Sequence, residues 1–381
     1  MKTVFDIKID FEKSHGSFLF DKKTNSEYLD FFGVFSSLPL GYNHSIFDRS
    51  FEKTISAIAK IRMGNNLFLS DELIDFKNHF REYIFSDYMH FTCTGALAVE
   101  AALKCAMEYK KTTKPMVLGI KKSFHGINSW GFITDRYLGT ADRMENYPQN
   151  DWMNLSIEDI IKYIGDNRTE NIVAVIVEPI QCTSGDIYLN PEMLIELRDL
   201  CRSKEICFIV DEIQTGFGVT GKMWYSDHIG LDPDVLVFGK KSQICGIVAK
   251  EQYNECMVTP LRKLDVTFDG ELIDAVRATY ILRAYEKYDL LHQAQINSKR
   301  FSLILKDKVL NYRSLGHLIA FDFESKEKRD SFAQQCYDRN LLCNKSADKT
   351  IRLRPNLAIT EEEIDHFENI VNDLYEINRR V

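Results

Sequence analysis

Ile206-Cys207-Phe208-Ile209-Val210-Asp211-Glu212-Ile213-Gln214-Thr215-Gly216-Phe217-Gly218 is the stretch that decides the fold: an unbroken apolar run that ends in an acid and a glycine-containing turn. A strand with one face in water alternates apolar and polar residues, whereas a strand covered on both faces reads as a continuous apolar run. Ile206 to Val210 is therefore expected inside a sheet with helices on both sides. Met116 to Ile120, Ile172 to Ile180 and Val235 to Phe238 have the same texture, and Pro191 to Lys204 between them carries apolar residues at helical spacing. Such alternation predicts an α/β fold with a mainly parallel sheet.

Outward from this centre the texture changes. After about residue 280 a long amphipathic helix is expected, then strands at Gly316 to Phe323 and Thr350 to Leu353, then a charged helix from Thr360. The first 50 residues are aromatic and read as loops, punctuated by Gly33, Pro39, Gly41 and Asn43. The expected organisation is an N-terminal segment over 1–50, a large domain over 51–280 and a small α+β domain over 281–381.

Composition narrows the function. The 381 residues carry a net charge of -8 with acids and bases interspersed, which leaves no basic footprint for nucleic acid. No run of roughly 20 apolar residues suggests a membrane span. Met1 leads into Lys2, Asp6, Lys8 and Asp10 without an apolar core, so no secretory signal is expected and the cytoplasm is the natural compartment. The nine cysteines include no C-x-x-C pair and read as reduced core residues, with no metal site expected.

Four strand ends carry chemistry. Asp211 follows the central strand, at the edge where α/β sheets bind ligands; alone it also fits a simple turn before a helix. Lys240, in Gly239-Lys240-Lys241-Ser242, follows the strand Val235 to Phe238, where partial desolvation makes an amine nucleophilic; a solvated turn is the plain alternative. Gly95 opens the helical run Gly95-Ala96-Leu97-Ala98-Val99-Glu100, whose free N–H groups suit an anion or need only a cap. Phe124, in Ser123-Phe124-His125-Gly126, suits a stacked ring or a core position. An anion site, a ring stack, an acid and an imine-forming lysine together describe pyridoxal phosphate.

These residues resemble class III aminotransferases, and within them the L-lysine 6-aminotransferases. The resemblance rests on Asp211 to Gly221, Phe238 to Gly246, Gly95 to Glu100, Phe124-His125-Gly126, Glu178-Pro179-Ile180-Gln181 and Arg352-Leu353-Arg354-Pro355, and it covers nearly the whole chain. It implies the fold of pyridoxal-phosphate enzymes of fold type I. It implies that Lys240, rather than Lys241, binds the cofactor aldehyde as a Schiff base and then carries a proton between substrate and cofactor carbons. Asp211 would pair with the ring nitrogen, Gln214 would lie near the ring hydroxyl, Phe124 and His125 would contact the cofactor, and Gly95 and Ala96 would offer N–H groups to the phosphate. Thr267 would reach the phosphate of a neighbouring subunit, so a homodimer with shared sites is implied. Arg354 would hold the α-carboxylate of glutamate or 2-oxoglutarate, with Glu178 neutralising it when another substrate is bound.

In one place the sequence leaves the pattern. The resemblance implies an arginine after His125-Gly126 to grip the carboxylate distal to the reacting amine, and Ile127 stands there. Either Arg136 or Lys122 supplies the grip, or the substrate is an amine with a less acidic tail. The expected reaction is transamination of a primary ω-amine or its aldehyde counterpart with a 2-oxo acid. A plain L-lysine 6-aminotransferase, an aminomutase and a non-catalytic protein of the same fold are the other readings; a half-reaction with 2-oxoglutarate separates the aminomutase, which needs no exogenous keto acid, from an aminotransferase.

Overall fold

The computed structural model describes residues 4–64, 68–128, 152–166, 169–258 and 263–379, and the side chains among these up to residue 375. Arg136 lies outside them. The chain divides into two compact units, Met1–Glu52 with Gly218–Gly221 and Arg283–Val381, and Lys53–Phe217 with Lys222–Leu282.

The first unit begins with an antiparallel meander, β1 (Ile9–His15), β2 (Phe18–Asp21) and β3 (Ser26–Asp30), where the sequence reading had only loops. The reason is that β1 is mostly exposed and carries Asp10, Glu12 and Lys13, so its two-residue period is too weak to read. Asp21 closes the β2–β3 turn: its Oδ1 accepts the Lys8 and Lys23 N–H groups at 2.8 and 3.0 Å, and its Oδ2 accepts the Thr24 hydroxyl at 2.8 Å.

The second unit is built on seven strands: β4 (Met89–Thr92), β5 (Met116–Ile120), β6 (Met153–Leu155), β7 (Ile172–Val177), β10 (Cys207–Asp211), β11 (Val235–Phe238) and β12 (Cys245–Ala249), in the order β4-β12-β11-β10-β7-β5-β6. The pairs within β11-β10-β7-β5-β6 are parallel, while β12 is antiparallel to both β11 and β4. A mainly parallel sheet is thus present, with one strand reversed. In β10, Cys207 and Ile209 face a cluster under the helix Gly95–Lys110. Phe208 and Val210 face the opposite cluster, with Ile160 and Ile164 of the helix Ile157–Asp166 and Leu194, Leu197 and Cys201 of the helix Pro191–Ser203. Both faces of the strand are dry, which is why its sequence is an uninterrupted apolar run. By the same two-residue period Asp211 emerges on the face of Cys207 and Ile209.

One strand is shorter than expected. The run Ile172 to Ile180 ends as β7 at Val177, and Ile180–Gln181 (β8) pairs antiparallel with Ile187–Tyr188 (β9). Pro179 has no N–H to give to a sheet ladder, and it breaks the run. Glu212, after β10, accepts the Tyr225 and Ser226 N–H groups at 2.5 and 2.8 Å and the Thr215 hydroxyl at 3.2 Å. Burial pushes its carboxyl up to about 7 even though these three bonds pull it down.

The chain continues through two helices, Leu272–Lys287 and Leu290–Leu305, where one long helix was expected; Asp289 between them adopts a φ of 49°. The rest of the first unit follows with β13 (Leu310–Leu315), β14 (Leu318–Asp322), β15 (Leu341–Leu342), β16 (Asn344–Ser346) and β17 (Thr350–Leu353). The order β13-β14-β17-β16 is antiparallel throughout, and β15 adds to β3 in parallel. Phe31, Phe301, Phe321, Phe332 and Phe367 form the centre of this unit's core. Among the described residues no helix is long and apolar enough to cross a membrane.

Candidate active site

The carboxyl ends of the second unit's strands enclose a cavity of about 420 Å³, within the usual range for small-ligand sites. Gly95, Ala96, Phe124, Gly126, Ile127, Glu178, Asp211, Ile213, Gln214, Lys240 and Cys245 line it.

Each lining group is placed by local chemistry. Lys240 follows β11 through Gly239 and takes the left-handed conformation, φ 56°, held where the Gln243 N–H reaches its carbonyl at 2.9 Å. Lys240 is half-buried and on the cavity wall, whereas Lys241 is buried and does not line it. Asp211 is 4% exposed; its Oδ1 accepts the Ile213 N–H at 3.0 Å and its Oδ2 lies 2.8 Å from His125 Nδ1. His125 is fully buried, and its Nε2 has no hydrogen-bond partner among the described residues. Expected against the cofactor, it is not among the lining residues of the cavity and touches Asp211.

The helix Gly95–Lys110 starts at the cavity. Thr94 caps it, its Oγ1 accepting the Leu97 N–H at 3.3 Å, and Gly95 and Ala96 have the first helical N–H groups, which no helical carbonyl can satisfy. Space for a side chain is tight here: a Cβ on Gly95 would meet Ile213 Cδ1, the tip of a flexible side chain, at 2.8 Å, and one on Gly126, at φ +92°, would meet Ala96 Cβ at 2.6 Å. Glu178 is 5% exposed and accepts the Phe124 N–H at 2.6 Å, which ties the acid to the loop carrying Phe124 and Ile127. Ile127 is 68% exposed.

Of the expected site residues, Lys240, Asp211, Glu178, Gly95, Ala96, Phe124, Gln214 and Ile127 share one cavity. Thr267 does not line it and is exposed on the turn before Gly270. Lys122, offered as a substitute cation, is exposed and is not among the lining residues. Arg354 belongs to the first unit, fully buried, with Nη1 donating to the carbonyls of Ile319 and Leu353 at 3.2 and 3.1 Å.

Sequence reasoning missed three lining residues. Ile213 lies two residues beyond Asp211 in the turn after β10, where its N–H bonds the Asp211 carboxylate. Gly126 was quoted only as part of a motif. Cys245, whose thiol burial pushes up to about 11, reaches the cavity because β12 is inserted between β4 and β11, and no local pattern announces that pairing.

A helix start for an anion, an aromatic and an aliphatic wall for a flat ring, an acid for a ring nitrogen and an amine for an aldehyde match the donor set that pyridoxal phosphate requires. The helix start at Gly95 and Ala96, where the first N–H groups have no helical acceptor, fits a ligand held by backbone.

Comparisons with known proteins agree. A model of the family Aminotransferase class-III matches residues 2–374. An L-lysine-epsilon aminotransferase of Amycolatopsis lactamdurans is 28% identical, with 95% of this chain and 90% of that protein covered. An acetylornithine aminotransferase of Bacillus cereus is 28% identical over 94% of this chain and 92% of its own. Among solved structures, lysine aminotransferase from M. tuberculosis superposes with a TM-score of 0.92 at 27% identity, covering 99% of this chain and 96% of that one.

Proposed function

The chain belongs to the class-III aminotransferases, and on that premise we propose how its residues divide the work of transaminating a primary ω-amine. When bound, pyridoxal phosphate supplies an aldehyde that condenses with amines and a ring that draws electrons from the substrate carbon. Lys240 Nζ would be the amine that holds the aldehyde and the base that takes the proton from the substrate carbon. Asp211 keeps the ring nitrogen protonated, and His125 orients Asp211. Phe124 and Ile213 contact the ring, Gln214 serves its hydroxyl, and the N–H groups of Gly95 and Ala96 receive the phosphate. The convergence of Lys240 and Asp211 on one cavity with a helix start is the observation that carries this reading.

Arg354 is assigned to the α-carboxylate of glutamate or 2-oxoglutarate, and Glu178 to the anion that takes its place with other substrates. A buried guanidinium left without an anion costs roughly 3 to 5 kcal/mol, so an arginine serving two substrates needs an exchangeable partner.

The amine donor follows from Ile127. A carboxylate facing isoleucine loses charge-assisted hydrogen bonds of about 1.5 to 3 kcal/mol each, at least tenfold in affinity. We therefore assign an ω-amine or amino sugar with a neutral or hydroxylated tail, in preference to L-lysine. In a donor screen that follows the loss of the protein's imine absorbance, such amines should outperform L-lysine, and Ile127→Arg should improve L-lysine about tenfold or more. Efficient use of L-lysine by the unmodified enzyme, unimproved in the variant, would restore the plain lysine aminotransferase reading.

The active form proposed is a cytoplasmic homodimer in which Thr267 serves the neighbouring phosphate. Ile61, Val266 and Phe268 are large apolar residues left exposed on one unit, with Arg62 stacked 4.6 Å over Phe268, and a second copy of the chain is the assigned cover. Light scattering should give twice the 44.2 kDa chain mass, and a monomer would remove Thr267 from the site. The free cysteines suit a reducing compartment.

A further inference from the structure

His90 is the second residue of β4, the strand that leads through Thr94 into the helix start at the cavity, and it is 8% exposed. Its Nε2 lies 3.5 Å from Asp269 Oδ2, beyond the 2.7 to 3.2 Å of a normal N–H···O bond. Among the described residues neither ring nitrogen of His90 makes a hydrogen bond; its nearest polar neighbour is Asp269. Asp269 is 3% exposed, and its Oδ2 accepts the Val266 N–H at 2.7 Å. Asp265 completes the group: one donor atom from each of His90, Asp265 and Asp269 lies within 4.8 Å of the others.

We propose that His90, Asp265 and Asp269 bind one first-row divalent cation, with water filling the remaining positions. One imidazole and two carboxylates are the borderline donor set that suits Zn²⁺ or Mn²⁺. With bonds of about 2 Å, neighbouring donors around one ion stand about 3 Å apart, so side chains now within 4.8 Å of one another need to close by up to about 2 Å.

Two acids and an imidazole thus meet at one place, with Asp265 the most open of the three. Lys104, on the helix Gly95–Lys110, is the positive group that acts on both His90 and Asp269, and it is exposed. A bound cation would relieve the repulsion between the acids and satisfy His90 at once. Since Asp265 and Asp269 flank Thr267 by two residues on either side, the ion would also fasten the Thr267 turn to β4.

Mn²⁺ is the probe, because it favours carboxylate and imidazole over the nine free thiols. Holoenzyme dialysed against chelator is titrated with Mn²⁺ alone while the paramagnetic resonance signal of the free ion is followed. The expected result is one bound Mn²⁺ per chain, displaced by Zn²⁺, and bound at least tenfold more weakly by both His90→Ala and Asp265→Asn. Asp265 is the most open of the three ligands, so Asp265→Asn decides the matter if His90→Ala misfolds. Full retention of the free-ion signal at millimolar Mn²⁺, or unchanged affinity in Asp265→Asn, overturns the proposal.

Discussion

Lys240→Ala is expected to lower kcat by at least about 10⁴, the upper part of the range that one positioned acid–base group supplies, because the same side chain also holds the cofactor. Three measurements separate this from unfolding. Circular dichroism should be unchanged, since the residue lines a cavity and is only half-buried. Borohydride should no longer fix the cofactor to the protein. Small exogenous amines should restore a fraction of the rate, because the missing function is a mobile base. Lys241 is buried outside the cavity, so Lys241→Ala should act through stability. A Lys240→Ala enzyme that turns over normally beside an inactive Lys241→Ala enzyme would show that the wrong lysine has been assigned.

The second large effect is expected of Asp211→Asn. The amide keeps the size and one acceptor for the Ile213 N–H, but it carries no charge to hold a proton on a ring nitrogen. Removing one preorganised electrostatic group from a buried site costs about 10² to 10³ in kcat, and a loss of that size is expected here with little change in the amount of cofactor bound. The 2.8 Å contact with His125 sharpens the test. If His125 acts by orienting Asp211, His125→Ala should lower kcat less than Asp211→Asn and should add nothing further in the double variant. A kcat within about threefold of the parent in Asp211→Asn would remove the acid from the mechanism.

The sequence was most informative where burial is two-sided. The Ile206 to Val210 run could be assigned because Cys207 and Ile209 face one helical layer while Phe208 and Val210 face the other. Asp211 and Lys240 were legible as strand ends for the same reason. It was least informative where pairing partners are distant or surfaces half wet. The β1–β3 meander hides behind the charges of β1, and β12 is too short to announce that it runs against its neighbours. His125 was legible from its motif while its contact with Asp211 was not, because a motif does not say which neighbour a side chain meets. His90 and Asp269 are 179 positions apart by number, and only the fold of the second unit brings them within 3.5 Å.

The left-handed backbone of Lys240 also bears on how this position has been selected. A lysine at φ 56° is strained by about 1 kcal/mol or more, where glycine would be at ease. Random substitution filtered for folding alone would drift here toward glycine or asparagine and make a sturdier protein with no chemistry. A lysine in this conformation gives up stability that glycine would supply and places an amine on the cavity wall, so Lys240→Gly should be more stable than Lys240→Ala.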